Sequence, residues 1–359
     1  MSRFLSNKLS KLIPYTPGEQ PKDMKYVKLN TNESPFSPAS CCMEALERIY
    51  DKLMLYPDPE NTTLNLAASR VLGVDASKIL MTNGSDEILN FAFMAFCDDK
   101  TPAVFADITY GFYKVFADLN GVNSRIIPLR EDFSIAPEDY YNAGGTVFIA
   151  NPNAPTGLVL TLSEIEDILE HNKDNVVVID EAYVDFGSQS AVVLVDKYPN
   201  LLVTQTFSKS RSMAGARLGF GVCSEELMKD LNTVKYSTNP YNINAMTAAL
   251  GQAMLENEEI TRENCRTIIK NREWTKQRLS ELGFEFTDSR TNFVFAKHPV
   301  LSGEYIYSAL RGKGILVRHF SQKRIADYNR ITVGSMEQME ALVSALELIL
   351  EENNEKSGN

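Results

Sequence analysis

Residues 176–183 read Val-Val-Val-Ile-Asp-Glu-Ala-Tyr, four apolar β-forming residues followed at once by two carboxylates. A continuous apolar run of this length, without alternation, is typical of a strand buried on both faces of a parallel sheet. Asp180 then stands at the carboxyl end of that strand, where open α/β sheets bind ligands. A buried carboxylate is costly unless it is paired. The segment therefore indicates either a functional acidic group, with a protonated pyridine nitrogen as a suitable partner, or an aspartate that caps a turn.

Outward from this segment, short β-rich runs alternate with helical patterns from residue 78 to residue 222. The strand candidates are 79–82, 103–107, 125–128, 146–150, 176–180, 201–206 and 218–223. The helix candidates between them are 86–96, 111–119 and 163–170. This alternation predicts an α/β fold with a mostly parallel sheet covered by helices on both faces.

The two ends of the chain have a different pattern. A long helical pattern covers 244–282, as one helix or as two in sequence, and short strands follow it at 284–286, 293–295, 315–317 and 330–333. Helical patterns at 304–311 and 336–351 alternate with these strands, which predicts a smaller α+β domain. The first 40 residues are irregular, because five prolines interrupt any long helix there.

Composition excludes several classes of protein. The 359 residues carry a formal net charge of −11, which disfavours general binding to nucleic acid or to anionic membranes. The five cysteines and three histidines have no metal-ligand spacing, so we expect no metal site and no disulfide framework. The most apolar run, 88–97, is too short to span a bilayer, and the N-terminus lacks a secretory pattern. We expect a cytoplasmic protein.

A lysine follows the sixth strand candidate, in Thr206-Phe207-Ser208-Lys209. Most lysines are solvated surface charges, but one at the end of an apolar strand is a better candidate for a desolvated amine that forms a Schiff base. Thr206, Ser208 and Arg217 are then suited to hold a phosphate, with Arg217 as a charge-assisted donor.

Two further segments follow strand candidates. Gly84, Ser85 and Asp86 open a helix, whose free N–H groups suit a phosphate, although by themselves these residues fit an ordinary helix cap better. The segment 151–157 reads Asn-Pro-Asn-Ala-Pro-Thr-Gly, and by itself it indicates no more than a rigid turn.

The order and spacing of these segments resemble the fold-type-I, pyridoxal-phosphate (PLP) dependent aminotransferases of classes I and II. The resemblance runs from Tyr15 to the last helix, and it is strongest to the branch that acts on histidinol phosphate. The segments that carry it are Ile13-Pro14-Tyr15, Asn30-Thr31-Asn32-Glu33, Tyr56-Pro57-Asp58, Thr109-Tyr110-Gly111, Asp180-Glu181-Ala182-Tyr183, Thr206-Phe207-Ser208-Lys209, Thr291-Asn292-Phe293 and Arg330-Ile331-Thr332-Val333-Gly334.

The resemblance implies the PLP-dependent transferase fold of type I and a homodimer with shared active sites. The large domain, residues 41–282, would hold a mostly parallel seven-stranded sheet, and residues 1–40 with 283–359 would form the small domain. It also implies a small-molecule amino donor and a 2-oxo acid as reaction partners. The expected reaction converts histidinol phosphate and 2-oxoglutarate into imidazole-acetol phosphate and glutamate, a step of histidine biosynthesis.

The resemblance also assigns roles to individual residues. Lys209 would hold the cofactor and move the α-proton, Asp180 would pair with the ring nitrogen, and Tyr183 would bond the phenolic oxygen. The other cofactor-binding residues would be Gly84, Ser85, Asp86, Tyr110, Asn153, Thr206, Ser208, Arg217 and, toward the other subunit, Tyr56. The substrate-binding residues would be Asn32, Asn292, Arg318, Arg330 and a Tyr15 supplied by the other subunit.

One position departs from the family pattern. Ala154 stands where family members commonly carry an asparagine whose amide meets the phenolic oxygen of the cofactor. Asn153, one residue earlier, is the nearest amide, and we expect it to substitute.

Two other enzymatic activities fit the same fold. One is a PLP-dependent decarboxylase of a phosphorylated amino acid such as threonine phosphate, and the other is an aromatic or broad-range aminotransferase. A PLP-binding regulator is disfavoured, because the chain has no basic N-terminal helical module to bind DNA.

Overall fold

The computed structural model describes residues 2–10 and 12–357. Its strands are β1 (Val27–Lys28), β2 (Ile79–Thr82), β3 (Ala103–Ala106), β4 (Ser124–Ile127), β5 (Thr146–Ala150), β6 (Val177–Asp180), β7 (Leu201–Thr206), β8 (Gly219–Cys223), β9 (Glu285–Phe286), β10 (Phe293–Lys297), β11 (Ile315–Leu316), β12 (Arg318–His319) and β13 (Tyr328–Thr332). Its α-helices are α1 (Cys41–Ile49), α2 (Thr62–Leu72), α3 (Ser85–Phe96), α4 (Phe112–Asn120), α5 (Leu162–Glu170), α6 (Glu225–Thr238), α7 (Ala245–Glu256), α8 (Glu258–Glu281), α9 (Gly303–Gly312) and α10 (Met336–Ser357).

The central sheet has seven strands in the order β2-β8-β7-β6-β5-β3-β4. Only β8 runs antiparallel to its neighbours β2 and β7, and the other pairs are parallel. The predicted mostly parallel sheet is therefore confirmed, with strand bounds that differ from the predicted ones by one residue at most. Strand β8 lies between β2 and β7, and its first residue, Gly219, is close both to the start of α3 and to the end of β7.

The apolar run before Asp180 is continuous because both faces of β6 are covered. Val177 and Ile179 pack into a core with α2, α5 and α7, whereas Val178 faces a second core formed with α3, α4 and α6. All three side chains are fully buried. A strand with a solvated face would alternate polar and apolar residues instead.

Helix ends follow from local capping. Thr161 and Glu164 form a reciprocal capping box at the start of α5. Asn244 caps α7 by accepting from the Thr247 N–H, and Asn257 separates α7 from α8. The helical pattern predicted over 244–282 is thus two helices. None of the helices in the described residues is long and apolar enough to cross a membrane.

The C-terminal third forms an antiparallel sheet, β12-β13-β10-β9, that packs with α8, α9 and α10 around its own core. The predicted strand 315–317 is in fact β11 and β12, which lie in different sheets on either side of Val317. Strand β1 pairs in parallel with β11, so the N-terminal segment joins the C-terminal third. This pairing supports the predicted domain boundaries at residues 41 and 283, which remain a prediction.

Gly219 makes the approach between β8 and α3 possible. A Cβ atom on Gly219 would lie 2.6 Å from the carbonyl carbon of Gly84 and closer still to the Ser85 N–H. We predict that Gly219→Ala lowers the free energy of unfolding by about 1–3 kcal/mol, since backbone must move to admit the methyl group.

Chemical unfolding of the variant checks this, with Gly312→Ala as the control. Gly312 ends α9 in open space, so its replacement should leave stability unchanged or raise it. Equal stability of Gly219→Ala and the wild type would contradict the close approach.

Candidate active site

The carboxyl ends of β2, β6 and β7 meet at one edge of the central sheet, and a cavity of about 180 Å³ lies there. Asp180, Lys209 and Tyr183 line it together with the start of α3. A second cavity of about 420 Å³ shares Tyr110, Tyr183 and Lys209 with the first. The site residues inferred from three separate segments are therefore brought together.

Asp180 lies in the floor of the first cavity, only 4% exposed. Its carboxylate accepts hydrogen bonds from the Tyr113 hydroxyl at 2.9 Å, from the Thr204 hydroxyl at 3.3 Å and from the Ala182 N–H at 3.3 Å. No salt bridge to it occurs in the described residues. Burial, with a smaller effect of the Asp86 charge, raises the pKa of Asp180 to about 6. The site thus holds a carboxylate that a cationic ligand would stabilise.

A cradle of hydrogen-bond donors closes one end of this cavity. Gly84 has φ +75° directly before α3, and the Arg217 guanidinium lies over it, 2.5 Å from where a Cβ would stand. The Ser208 hydroxyl lies 3.4 Å from Arg217 Nη1 and 3.0 Å from the Thr206 hydroxyl. Free N–H groups at the start of α3, two hydroxyls and an arginine are the donors that bind phosphate.

Lys209 extends into the cavity from the segment after β7. Its Nζ donates to the Thr31 carbonyl at 3.2 Å and lies 5.8 Å from the centre of the Tyr183 ring. No carboxylate of the described residues forms a salt bridge with it. The amine is therefore positioned between the two cavities.

Two tyrosines flank the amine. Tyr110 donates to Asp86 at 2.7 Å, and burial, together with that carboxylate, raises its pKa well above the ordinary value. Tyr183 packs edge-on against Phe293 and accepts a hydrogen bond from the Asn32 amide at 2.9 Å. Both tyrosines line both cavities.

Two arginines line the second cavity. Arg330 donates to the Asn30 carbonyl at 3.1 Å, but its Nε is buried without a partner, and burial lowers its pKa. Arg318 lies beside the Phe320 ring. Neither forms a salt bridge within the described residues. Two unpaired guanidinium groups in one cavity favour an anionic ligand.

Asn153 does not line either cavity. Its two amide hydrogens are donated to the Ile108 carbonyl at 3.0 Å and the Thr156 hydroxyl at 3.1 Å, and its oxygen accepts from Thr109. It stabilises the turn 151–157, and the structure does not bring it to the position expected for a substitute of the asparagine missing at Ala154.

Two other predicted residues have a different placement from the one expected. Tyr15 stacks on Phe112 and lines the second cavity of its own chain, whereas the resemblance implied a residue from the other subunit. Asn292 is buried and donates to the Asn32 carbonyl rather than lining the cavity. Tyr56 is 82% exposed and stacks on Tyr241, outside both cavities of its own chain, and its expected contact with the other subunit stays a prediction.

Tyr113 is a site residue that sequence reasoning missed. It is fully buried in α4, and as an aromatic on an apolar helix face it is indistinguishable from a core residue. Thr204, in the middle of β7, was missed for the same reason. Only the packing of α4 and β7 against β6 shows that their hydroxyls hold Asp180.

Comparison with known proteins identifies the family. Residues 24–346 match the family model described as aminotransferase class I and II. The chain belongs to this family. A curated relative from Brachyspira hyodysenteriae, named histidinol-phosphate aminotransferase, is 46% identical over 352 residues, which cover 98% of this chain and 99% of the relative.

Solved structures show the same fold for this aminotransferase. The structure of histidinol-phosphate aminotransferase from Sinorhizobium meliloti in complex with PLP has a TM-score of 0.83 at 24% identity and covers 90% of this chain and 91% of that chain. L-threonine-O-3-phosphate decarboxylase from Porphyromonas gingivalis has a TM-score of 0.78 at 22% identity, with coverages of 90% and 99%. The fold alone therefore does not separate transamination from decarboxylation.

The aminotransferase uses PLP, and the residues present fit that cofactor. A buried carboxylate lacking a cation suits a protonated ring nitrogen, a cradle that a Cβ on Gly84 would fill suits the phosphate, and an unpaired lysine suits the aldehyde.

We predict that Asp180→Asn stabilises the cofactor-free protein at neutral pH. The pKa of Asp180 is higher in the folded than in the unfolded chain, so the folded protein binds more protons between about pH 4 and 6 and loses stability as the pH rises through that window. An amide of the same size does not ionise, so the variant avoids this decrease in the free energy of unfolding, which amounts to up to about 3 kcal/mol above pH 6.

Melting temperatures of both cofactor-free proteins, measured from pH 4 to pH 8, check this. The advantage of the variant should be absent near pH 4 and full above pH 6, and Asp99→Asn, an exposed carboxylate, should show none. Burial also raises the pKa of Glu181, to about 7. Because all three proteins contain Glu181, its effect on the melting temperature cancels when they are compared. An advantage independent of pH would contradict the buried charge.

Proposed function

We propose that this aminotransferase transfers the amino group of histidinol phosphate to 2-oxoglutarate, yielding imidazole-acetol phosphate and glutamate in histidine biosynthesis. The observation that carries the proposal is the pair Arg318 and Arg330, which line the cavity beside Lys209 without a carboxylate partner in the described residues. The near-full-length similarity to relatives of that name supports it.

One anion site must serve two substrates in this reaction. Histidinol phosphate has a phosphate and no α-carboxylate, whereas 2-oxoglutarate has two carboxylates. A guanidinium accepts either anion in bidentate geometry. Arg330 is suited to this because burial lowers its pKa and its Nε is unpartnered, so an incoming anion stabilises a cation that the protein itself leaves uncompensated.

The remaining residues act on the reacting end of the substrate. Bound PLP supplies an electron sink at the substrate α-carbon. Asp180 holds the positive charge on the ring nitrogen, Tyr183 orients the phenolic oxygen, and the cradle around Gly84 and Arg217 fixes the phosphate. Lys209 Nζ, which has no carboxylate partner among the described residues, would hold the cofactor and move the proton at the α-carbon.

We also propose a cytoplasmic homodimer. The segment from Leu53 to Tyr56 exposes apolar side chains consecutively, with Met54 84% and Tyr56 82% exposed. Exposed apolar patches of this kind mark interfaces. Tyr56 contributes nothing to the cavities of its own chain, which supports its proposed contact with the phosphate group in the other subunit.

We predict that the cofactor is attached to Lys209. Borohydride reduction of the holoenzyme, followed by peptide mapping, should place the pyridoxyl group on this residue, because its amine lies between the two cavities and has no carboxylate partner. Lys209→Ala should lose about 10²–10⁴-fold in kcat for want of the proton shuttle. A label on any other lysine would overturn the assignment.

We predict that Arg318→Ala and Arg330→Ala each lower kcat/KM for histidinol phosphate by roughly 10–150-fold, the worth of one charge-assisted hydrogen bond. Wild-type enzyme should use unphosphorylated histidinol poorly, and both variants should discriminate less between the two donors. Arg266→Ala, an exposed arginine of α8, serves as the control.

The same assay separates the alternatives. Equal use of histidinol and its phosphate, or faster use of phenylalanine, would favour a broad-range aminotransferase. Release of carbon dioxide from threonine phosphate, without a keto product, would favour the decarboxylase.

A further inference from the structure

Asn32 lies at the centre of a buried hydrogen-bond network between the N-terminal segment and the end of β13. It is 1% exposed, and its backbone has φ +55°, in the left-handed region. Its N–H donates to the Thr332 hydroxyl at 3.0 Å, and the Asn292 amide donates to its carbonyl at 3.0 Å. The residue is thus held at both backbone groups.

The network also fixes which end of the Asn32 amide faces Tyr183. The Thr332 hydroxyl donates to Asn32 Oδ1 at 3.1 Å, so Nδ2 is the end directed at the Tyr183 hydroxyl, 2.9 Å away. An amide nitrogen has no lone pair to accept with. The single proton of the Tyr183 hydroxyl therefore points elsewhere, and no hydrogen bond in the described part of the chain takes it.

We propose that Asn32 is a positioning residue that forces the Tyr183 hydroxyl to donate into the cofactor cavity, toward the phenolic oxygen of PLP. This inference rests on the cofactor placement proposed above. It changes the role expected for Asn32, which lines the edge of the substrate cavity but has both ends of its amide bonded to protein.

The arrangement matters more in this chain because a second donor is missing. Ala154, which lines the cavity, has no polar side chain, and Asn153 donates both amide hydrogens within its own turn. The phenolic oxygen then depends on Tyr183, and Tyr183 depends on Asn32 for the direction of its proton.

The test is the pH midpoint of the absorbance change of the bound cofactor, measured without substrate. A donor to the phenolic oxygen stabilises the deprotonated form of the cofactor–lysine Schiff base most, so loss of the donor raises the midpoint. Tyr183→Phe should raise it by about one to two pH units, the equivalent of one charged hydrogen bond.

Asn32→Asp is the informative variant. A carboxylate oxygen replaces Nδ2 at the same size, accepts the Tyr183 proton and withdraws it from the cofactor, so the midpoint should rise by about as much as in Tyr183→Phe. The added charge alone would also raise the midpoint. The double variant separates the two effects, because in the Tyr183→Phe background Asn32→Asp should add little if it acts through the hydroxyl.

Two uncharged variants keep the test decisive even if Asn32→Asp fails to fold. Asn32→Gly retains a residue that tolerates positive φ and removes only the amide, and Thr332→Val removes the hydroxyl that orients it. Each should raise the midpoint by a smaller amount, and only when Tyr183 is present, whereas Thr332→Ser should behave as wild type.

Unchanged midpoints in Asn32→Gly and Thr332→Val, or shifts that persist fully in the Tyr183→Phe background, would overturn the proposal. Neither outcome touches the substrate assignment, since no substrate is used. Failure of the cofactor assignment would show itself separately, as wild-type protein whose borohydride label is not on Lys209.

Discussion

A carboxylate at the end of a strand that is buried on both faces is tolerated only if something compensates its charge. In this aminotransferase two hydroxyls and one N–H hold the Asp180 carboxylate, but no cation in the described part of the chain pairs with it. The surrounding architecture is consistent with this requirement. Strand β6 is central in the sheet, and α4 places the Tyr113 hydroxyl against the carboxylate. The cavity beside Asp180 is suited to a cationic ring. A protonated ring nitrogen beside Asp180 would relieve the cost of this buried charge and so would contribute to the affinity for the cofactor.

The second cavity contains the opposite case, a cation without a carboxylate partner among the described residues. Arg330 is half-buried against aromatic rings, and its guanidinium carbon lies 5.4 Å from the centre of the Phe293 ring and 5.9 Å from that of Phe320. The described residues therefore place two charged groups without salt-bridge partners in the cavities that Lys209 lines, the Asp180 carboxylate in one and the Arg330 guanidinium in the other. We propose that ligands of complementary charge bind each of them, whereas the Lys209 amine has no carboxylate in salt-bridge contact among the described residues.

Much of the fold follows from local sequence. Continuous apolar runs gave the seven central strands, and the positions of Asp180 and Lys209 at strand ends pointed to the site, because both signals depend on residues close together in the chain. The side-chain partners did not follow. Tyr113 is 67 residues from Asp180 and Asn32 is 151 residues from Tyr183, so only the packed structure pairs them. Asn153 was misplaced because sequence shows that an amide is present but not whether its hydrogens are already used within the turn.

The link between Asn32 and Thr332 spans 300 residues. Chains are synthesised from the N-terminus, and their domains generally fold as units as they emerge. Strand β1 leaves the ribosome early, yet its partner β11 and the hydroxyl of Thr332 are made only near the end. A nascent chain can form the central sheet, with Lys209 in place, well before Thr332 is available to the network around Tyr183. If Thr332 helps to orient the donor as proposed, the catalytic apparatus is complete only after β13 has been made, and a truncated product that lacks this strand retains the Asp180 and Lys209 segments without that hydroxyl.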